Sequence, residues 1–192
     1  MVADRDSHRI FSGLILFILG YEWLVSGADK ILSGGFVAGL QQQLSDALSN
    51  MQYGFYGYVV KTYLVPNSEL VGYVVEMSEL ALGVMFFILA VFAIRGKMNA
   101  ALYRLALGTG IVAAIISLNL FFYRGGSFFV SLAKPYEEGI PIDFFLVLAN
   151  IAVVVWSYRA LLAKPKLYLV GQGKATHNKY RNRHVNKGAA LK

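Results

Sequence analysis

Residues 69–94 read ELVGYVVEMSELALGVMFFILAVFAI, and three glutamates, Glu69, Glu76 and Glu79, are their only charged side chains. Beyond Glu79 no polar side chain occurs before residue 95. As a helix the stretch is about 39 Å long, more than the ~30 Å hydrocarbon core of a bilayer. A soluble helix keeps a polar face along its length, and this one has none over four turns. Three further apolar runs flank it, at residues 10–28, 100–123 and 140–162. The reading is an all-α membrane protein, a four-helix transmembrane bundle occupying residues 1–163. Composition agrees, with 57% hydrophobic and 15% charged residues in a chain of 192. Arg5 and Arg9 ahead of the first run give it the flavour of a signal peptide. No small-residue cleavage site follows and Glu22 stands where one would end, so a retained helix is expected.

Lysine and arginine set the expected orientation. Fourteen of the 18 lie in the N-terminal stretch, the second connection and the tail from Arg159 onward. The other four, Lys30, Lys61, Arg124 and Lys134, lie in the first and third connections. That places both termini in the cytoplasm of a multi-pass cell-membrane protein. The tail, residues 164–192, is rich in Lys, Arg, Asn and Gly and reads as a solvated, disordered end lying against anionic headgroups. Membrane lipid, not nucleic acid, is the partner expected for it.

The first connection, residues 29–68, is long. Val37, Leu40, Leu44 and Leu48 recur at helical spacing opposite Gln, Ser and Asp, which predicts an amphipathic helix at the outer interface. Tyr53, Phe55, Tyr56, Tyr58 and Tyr63 follow, as an aromatic belt or a cap over a pocket.

Cysteine is absent and the three histidines, His8, His177 and His184, lie outside the apolar runs. Haem between membrane histidines, iron–sulfur clusters and histidine- or thiolate-built metal sites are therefore not expected. Polar side chains instead gather at one depth. Measured along each helix from Arg9, Arg95, Arg104 and Arg159, Glu22, Glu79, Asn119 and Asp143 all lie about 20–24 Å up. Glu76 lies one turn beyond Glu79. Glu22, Ser26 and Asp29 follow at i, i+4 and i+7, and the nearest cations are Lys30 and Arg124. Such a layer forms either a polar pocket for a quinone headgroup or small anion, or ties between helices. Gly13, Gly20, Gly27, Gly72, Gly83, Gly108 and Gly110 let helices approach closely. Arg9-x-x-x-Gly13 and Arg104-x-x-x-Gly108, offset by 95, are a faint trace of a duplicated helix pair.

Several short elements resemble the DoxX/DoxD family of small four-helix membrane proteins. They are Gly27-Ala-Asp-Lys30, Val65-Pro-Asn67, Glu79-Leu-Ala-Leu-Gly83 and Leu118-Asn-Leu120, in that order, within residues 9–160. Residues 56–83 look most like the DoxD branch, linked to thiosulfate:quinone oxidoreductase. The resemblance implies a four-helix bundle serving a membrane oxidoreductase, with Lys30, Glu79 and Asn119 as the matching positions. The long first connection and the basic tail look like additions to the family pattern. With no cysteine, the chain cannot itself carry a thiosulfonate. Three functions are thus expected: a quinone-linked oxidoreductase subunit working with other subunits, a non-catalytic accessory subunit of a larger membrane complex, or a small-solute carrier. The last lacks the proline-broken spans of carriers, apart from Pro141 at the start of the fourth.

Overall fold

The computed structural model describes residues 2–51, 53–126 and 142–163. The basic tail, Lys134 and Pro141 lie outside them. Six α-helices occur among these residues: α1 Val2–Ser33, α2 Phe36–Ala47, α3 Gly54–Val59, α4 Ser68–Ile94, α5 Ala100–Tyr123 and α6 Ile142–Ala163. A π turn, Val60–Leu64, and a 3-10 turn, Val65–Asn67, join α3 to α4. Four helical stretches are long and apolar enough to cross a membrane: Ser7–Ser33, Gly54–Ile94, Ala100–Tyr123 and Ile142–Ala163.

Local chemistry sets the ends. Asn99 caps α5, its side-chain oxygen accepting the Leu102 N–H at 2.9 Å. At the end of α4, Gly96 N–H donates to the Ala93 carbonyl and Lys97 N–H to that of Phe92, both at 2.9 Å. This reversal needs a left-handed residue, and Gly96 supplies it with φ +65°. Gly125 ends α5 in the same way at φ +68°.

The helices pack as two antiparallel pairs, α1 with α4 and α5 with α6. The first pair is a glycine seam. Gly13, Gly20 and Gly27 recur every seven residues on α1 and meet α4 at Ile94, at the Gly83 carbonyl and at the Leu80 amide. Gly83 on α4 meets the Leu24 backbone in return. Lipid offers no hydrophobic drive between helices, so close backbone contact of this kind is what holds them. The second pair has a more polar seam. Arg124 pairs with Asp143 at 3.1 Å, and the Asn150 amide donates to Ser117 Oγ at 3.3 Å. Asp143, Asn150 and Ser157, all buried, stand seven residues apart on α6. Leu16, Leu19 and Trp23, with Phe86 and Leu89, Ala106 and Ala113, and Val153, form the core common to both pairs. The expected duplication does not extend to side-chain roles. Gly13 is wedged against α4, whereas among the described residues nothing lies within 4 Å of where a Gly108 Cβ would be.

The first connection folds onto one end of the bundle. Leu40 and Leu44 of α2 are buried with Tyr56 and Val60, and Phe122 and Tyr123 of α5 pack around them. Val37 closes on Gly72 of α4. The apolar face expected of this helix is therefore turned onto its own chain. The aromatics divide: Tyr56 is buried, whereas Phe55, Tyr58 and Tyr63 are exposed.

Candidate functional site

Where α1 and α4 cross beneath the folded connection, three polar side chains meet. Lys30 Nζ lies 2.6 Å from Glu79 Oε2 and 2.9 Å from Ser26 Oγ. Ser26 Oγ in turn donates to Glu79 Oε2 at 2.9 Å. Ser26 and Lys30 reach the same carboxylate because they are one turn apart on α1. Gly27 sets the distance: between them, it brings α1 against the backbone of Glu79 and Leu80. Two of the sequence elements singled out above, Gly27–Lys30 and Glu79–Gly83, thus meet face to face.

Burial within the group is unequal. The Glu79 side chain is 0% exposed and that of Lys30 19%. Phe36 of α2 covers the ammonium, its ring centroid 5.4 Å from Nζ. Among the described residues Glu79 Oε1 has no hydrogen-bond partner, and neither does the buried indole N–H of Trp23 one turn before Ser26 and Gly27. Glu76, one turn from Glu79 and also buried, makes no hydrogen bond or ion pair among the described residues. A desolvated carboxylate with a free oxygen, a partly open ammonium beside it and a second buried carboxyl can accept, hold and release a proton. It can also orient a small polar group that offers both a hydrogen-bond donor and an acceptor.

The other residues of the expected layer are placed elsewhere. Asn119 is exposed on α5, its amide donating to its own helix at Ile115 O, 2.8 Å away. Its main-chain carbonyl accepts the Tyr56 hydroxyl at 3.1 Å, which fastens α3 to α5. Arg124 and Asp143 pair at the end of the α5–α6 seam, Arg124 59% exposed and Asp143 5%. Glu22 and Asp29 are exposed, on the side of α1 turned away from α4. The expected set resolves into separate groups: Lys30 meets Glu79 between α1 and α4, and Arg124 meets Asp143 between α5 and α6. Ser26, known from the sequence only as a neighbour of Glu22 at i+4, completes the centre. Trp23 and Phe36 carried no sequence signal for it. Among the described residues no group of three His, Cys, Asp or Glu stands close enough to hold a metal ion. Comparison with family models, with curated proteins and with solved structures finds no match to this chain.

Proposed function

We propose that the chain is the membrane subunit of a quinone-linked oxidoreductase, similar to the DoxX/DoxD type, and that it holds a quinone headgroup at Ser26, Lys30 and Glu79. The observation that carries this reading is the fully buried Glu79 carboxylate with one oxygen unpartnered. Apolar surroundings place a strong demand on such an atom, and the hydroxyl of a reduced quinone meets it. The neighbouring ammonium suits the carbonyl oxygen of the oxidised form. A quinone supplies reversible two-electron, two-proton chemistry in a molecule soluble in the membrane. This chain's part is to bind and orient the headgroup, shield it beneath Phe36 and hold a proton at Glu79 Oε1. With no cysteine in the chain, a partner subunit supplies the electrons.

The competing reading, an accessory subunit without chemistry, is favoured by one observation: Lys30 and Glu79 satisfy each other across the α1–α4 seam. Purification in mild detergent, with mass spectrometry of extracted lipids and co-purifying proteins, separates the two. Stoichiometric quinone is expected. Stoichiometric protein partners without quinone would leave the accessory reading standing.

Orientation belongs to the same proposal. Both termini face the cytoplasm, and the Lys30 centre lies towards the opposite face, as the distribution of Lys and Arg implies. A reporter active only in the cytoplasm should give signal when fused at the C-terminus and none when inserted near Asn50. Signal at Asn50 would invert the topology.

A further inference from the structure

Glu22 lies in the stretch Ser7–Ser33, one of the four long and apolar enough to cross a membrane. It is exposed between Ile18 and Val25, which are 55% and 47% exposed. If a 30 Å core is centred on this stretch, the residue sits about 12 Å inside its nearer edge. A glutamate side chain is too short to reach the headgroups from there, unlike the long stems of Lys and Arg. No hydrogen bond or ion pair among the described residues satisfies it.

The same face of α1 borders a groove. A cavity of about 340 Å³ runs between α1 and α6, lined by Phe11, Ile15 and Leu16 on one side and by Phe145, Ala149 and Trp156 on the other. Glu22 follows Ile15 by seven residues, so it lies on the same face about 10 Å further along. The α6 wall, Phe145, Ala149, Ala152 and Trp156, recurs at i, i+4, i+7 and i+11, the spacing of a helix-packing stripe with small residues at its centre.

We propose that this groove docks a single transmembrane helix of a partner protein, one that places a lysine or arginine opposite Glu22. Charge selects the occupant. Lipid ammonium groups stay at the headgroup level, well outside the depth of Glu22. A second copy of the chain offers no matching cation among the described residues. Lys30 is engaged with Glu79, Arg124 with Asp143, Lys61 lies on the folded connection, and Arg5, Arg9, Arg95, Lys97, Arg104 and Arg159 lie at the opposite end of the bundle from Lys30. An intramembrane carboxylate of this kind pairs with a cation from a neighbouring helix, as buried charges in bilayers do. The inference is independent of the quinone reading, because Glu22 and Ser26–Lys30–Glu79 are separate groups.

The test uses the full chain in liposomes and synthetic Leu/Ala membrane-spanning peptides, one with a central lysine and one with leucine there. A central position serves in either orientation. Association is read by energy transfer between labelled protein and labelled peptide. The lysine peptide is expected to bind at least tenfold more tightly than the leucine peptide. Glu22→Gln should abolish that preference, and Ala152→Phe should weaken binding of both peptides by filling the groove. Both variants lie on the lipid-facing surface, and unchanged thermal melting in detergent confirms their folding. Equal binding of the two peptides, or an undiminished lysine preference in Glu22→Gln, overturns the proposal. So does self-association of the chain that Glu22→Gln abolishes, which would assign the groove to a second copy.

Discussion

Gly27→Val and Gly83→Val are each expected to abolish the folded bundle, whereas Gly108→Ala leaves it intact. A Cβ added at Gly27 would stand 2.7 Å from the Leu80 amide nitrogen and 3.1 Å from the Glu79 carbonyl carbon. One added at Gly83 would stand 2.6 Å from the Leu24 nitrogen. These neighbours are backbone atoms of a facing helix, so no rotamer change relieves the clash. The helices must separate, and the van der Waals contact that binds them in lipid is lost along the seam. Overpacking a core with one or two methylenes typically costs about 1–3 kcal/mol, and a β-branched side chain against backbone exceeds that range. Gly108 sits in a helix interior with nothing within 4 Å of its Cβ direction. Alanine there should stabilise by roughly 0.5–1 kcal/mol, through helix propensity and reduced freedom of the unfolded chain. Yield of monodisperse protein in detergent, with thermal melting, reads all three. Normal yield of Gly27→Val would mean that α1 and α4 do not meet as closely as this.

Because Gly27 lies between Ser26 and Lys30, the packing seam and the candidate site are one place, and this explains what the sequence could and could not reveal. Apolar length located the spans: the run read at 100–123 is α5, Ala100–Tyr123, and the run at 69–94 is α4 but for one residue. The first apolar run ends at 28, ahead of Asp29 and Lys30. Their backbone nevertheless stays helical to Ser33, since charged residues near a helix end do not interrupt its hydrogen bonds. Counting residues from a basic marker gives position along each helix axis alone. Depth is one coordinate and azimuth is another. Glu22 and Ser26 at i and i+4 share a face, but they stand about 40° apart round the helix. The heptad of Gly13, Gly20 and Gly27 marks the side of α1 that touches α4, and Glu22 lies well round from it. That heptad is legible in the sequence, although glycines taken singly say only that helices can approach closely. The same holds on α6, where Asp143, Asn150 and Ser157 at seven-residue spacing marked the buried seam. Phe36 and Trp23 were beyond reach, because one is brought to Lys30 by the fold of the connection and the other is an ordinary apolar residue by composition.

Removing Lys30 is expected to harm the protein more than removing the charge of Glu79, and the two changes together should be no worse than the milder one. Breaking a buried ion pair from one side strands the other charge, at a cost of about 3–5 kcal/mol when that charge has no route to water. Lys30→Met strands Glu79, which is 0% exposed and holds one further bond, to Ser26. Glu79→Gln strands Lys30, which is 19% exposed and has a long stem along which to move its charge outward. The amide also keeps an oxygen for Ser26 and Lys30 to donate to, so a loss of only about 1–2 kcal/mol is expected. In the double variant no charge is stranded, and the coupling between the two changes should be strongly non-additive. Unfolding in mixed micelles measures this order. Additive losses, or a larger loss in Glu79→Gln, would show that the pair does not hold the seam together. Quinone affinity in nanodiscs supplies the second reading on the same three proteins. Under the proposed function each variant binds quinone at least tenfold more weakly, including Glu79→Gln, whose fold is least disturbed. Unchanged affinity in Glu79→Gln, with the predicted order of stabilities intact, would leave Lys30 and Glu79 as a structural clasp and remove the quinone from this site.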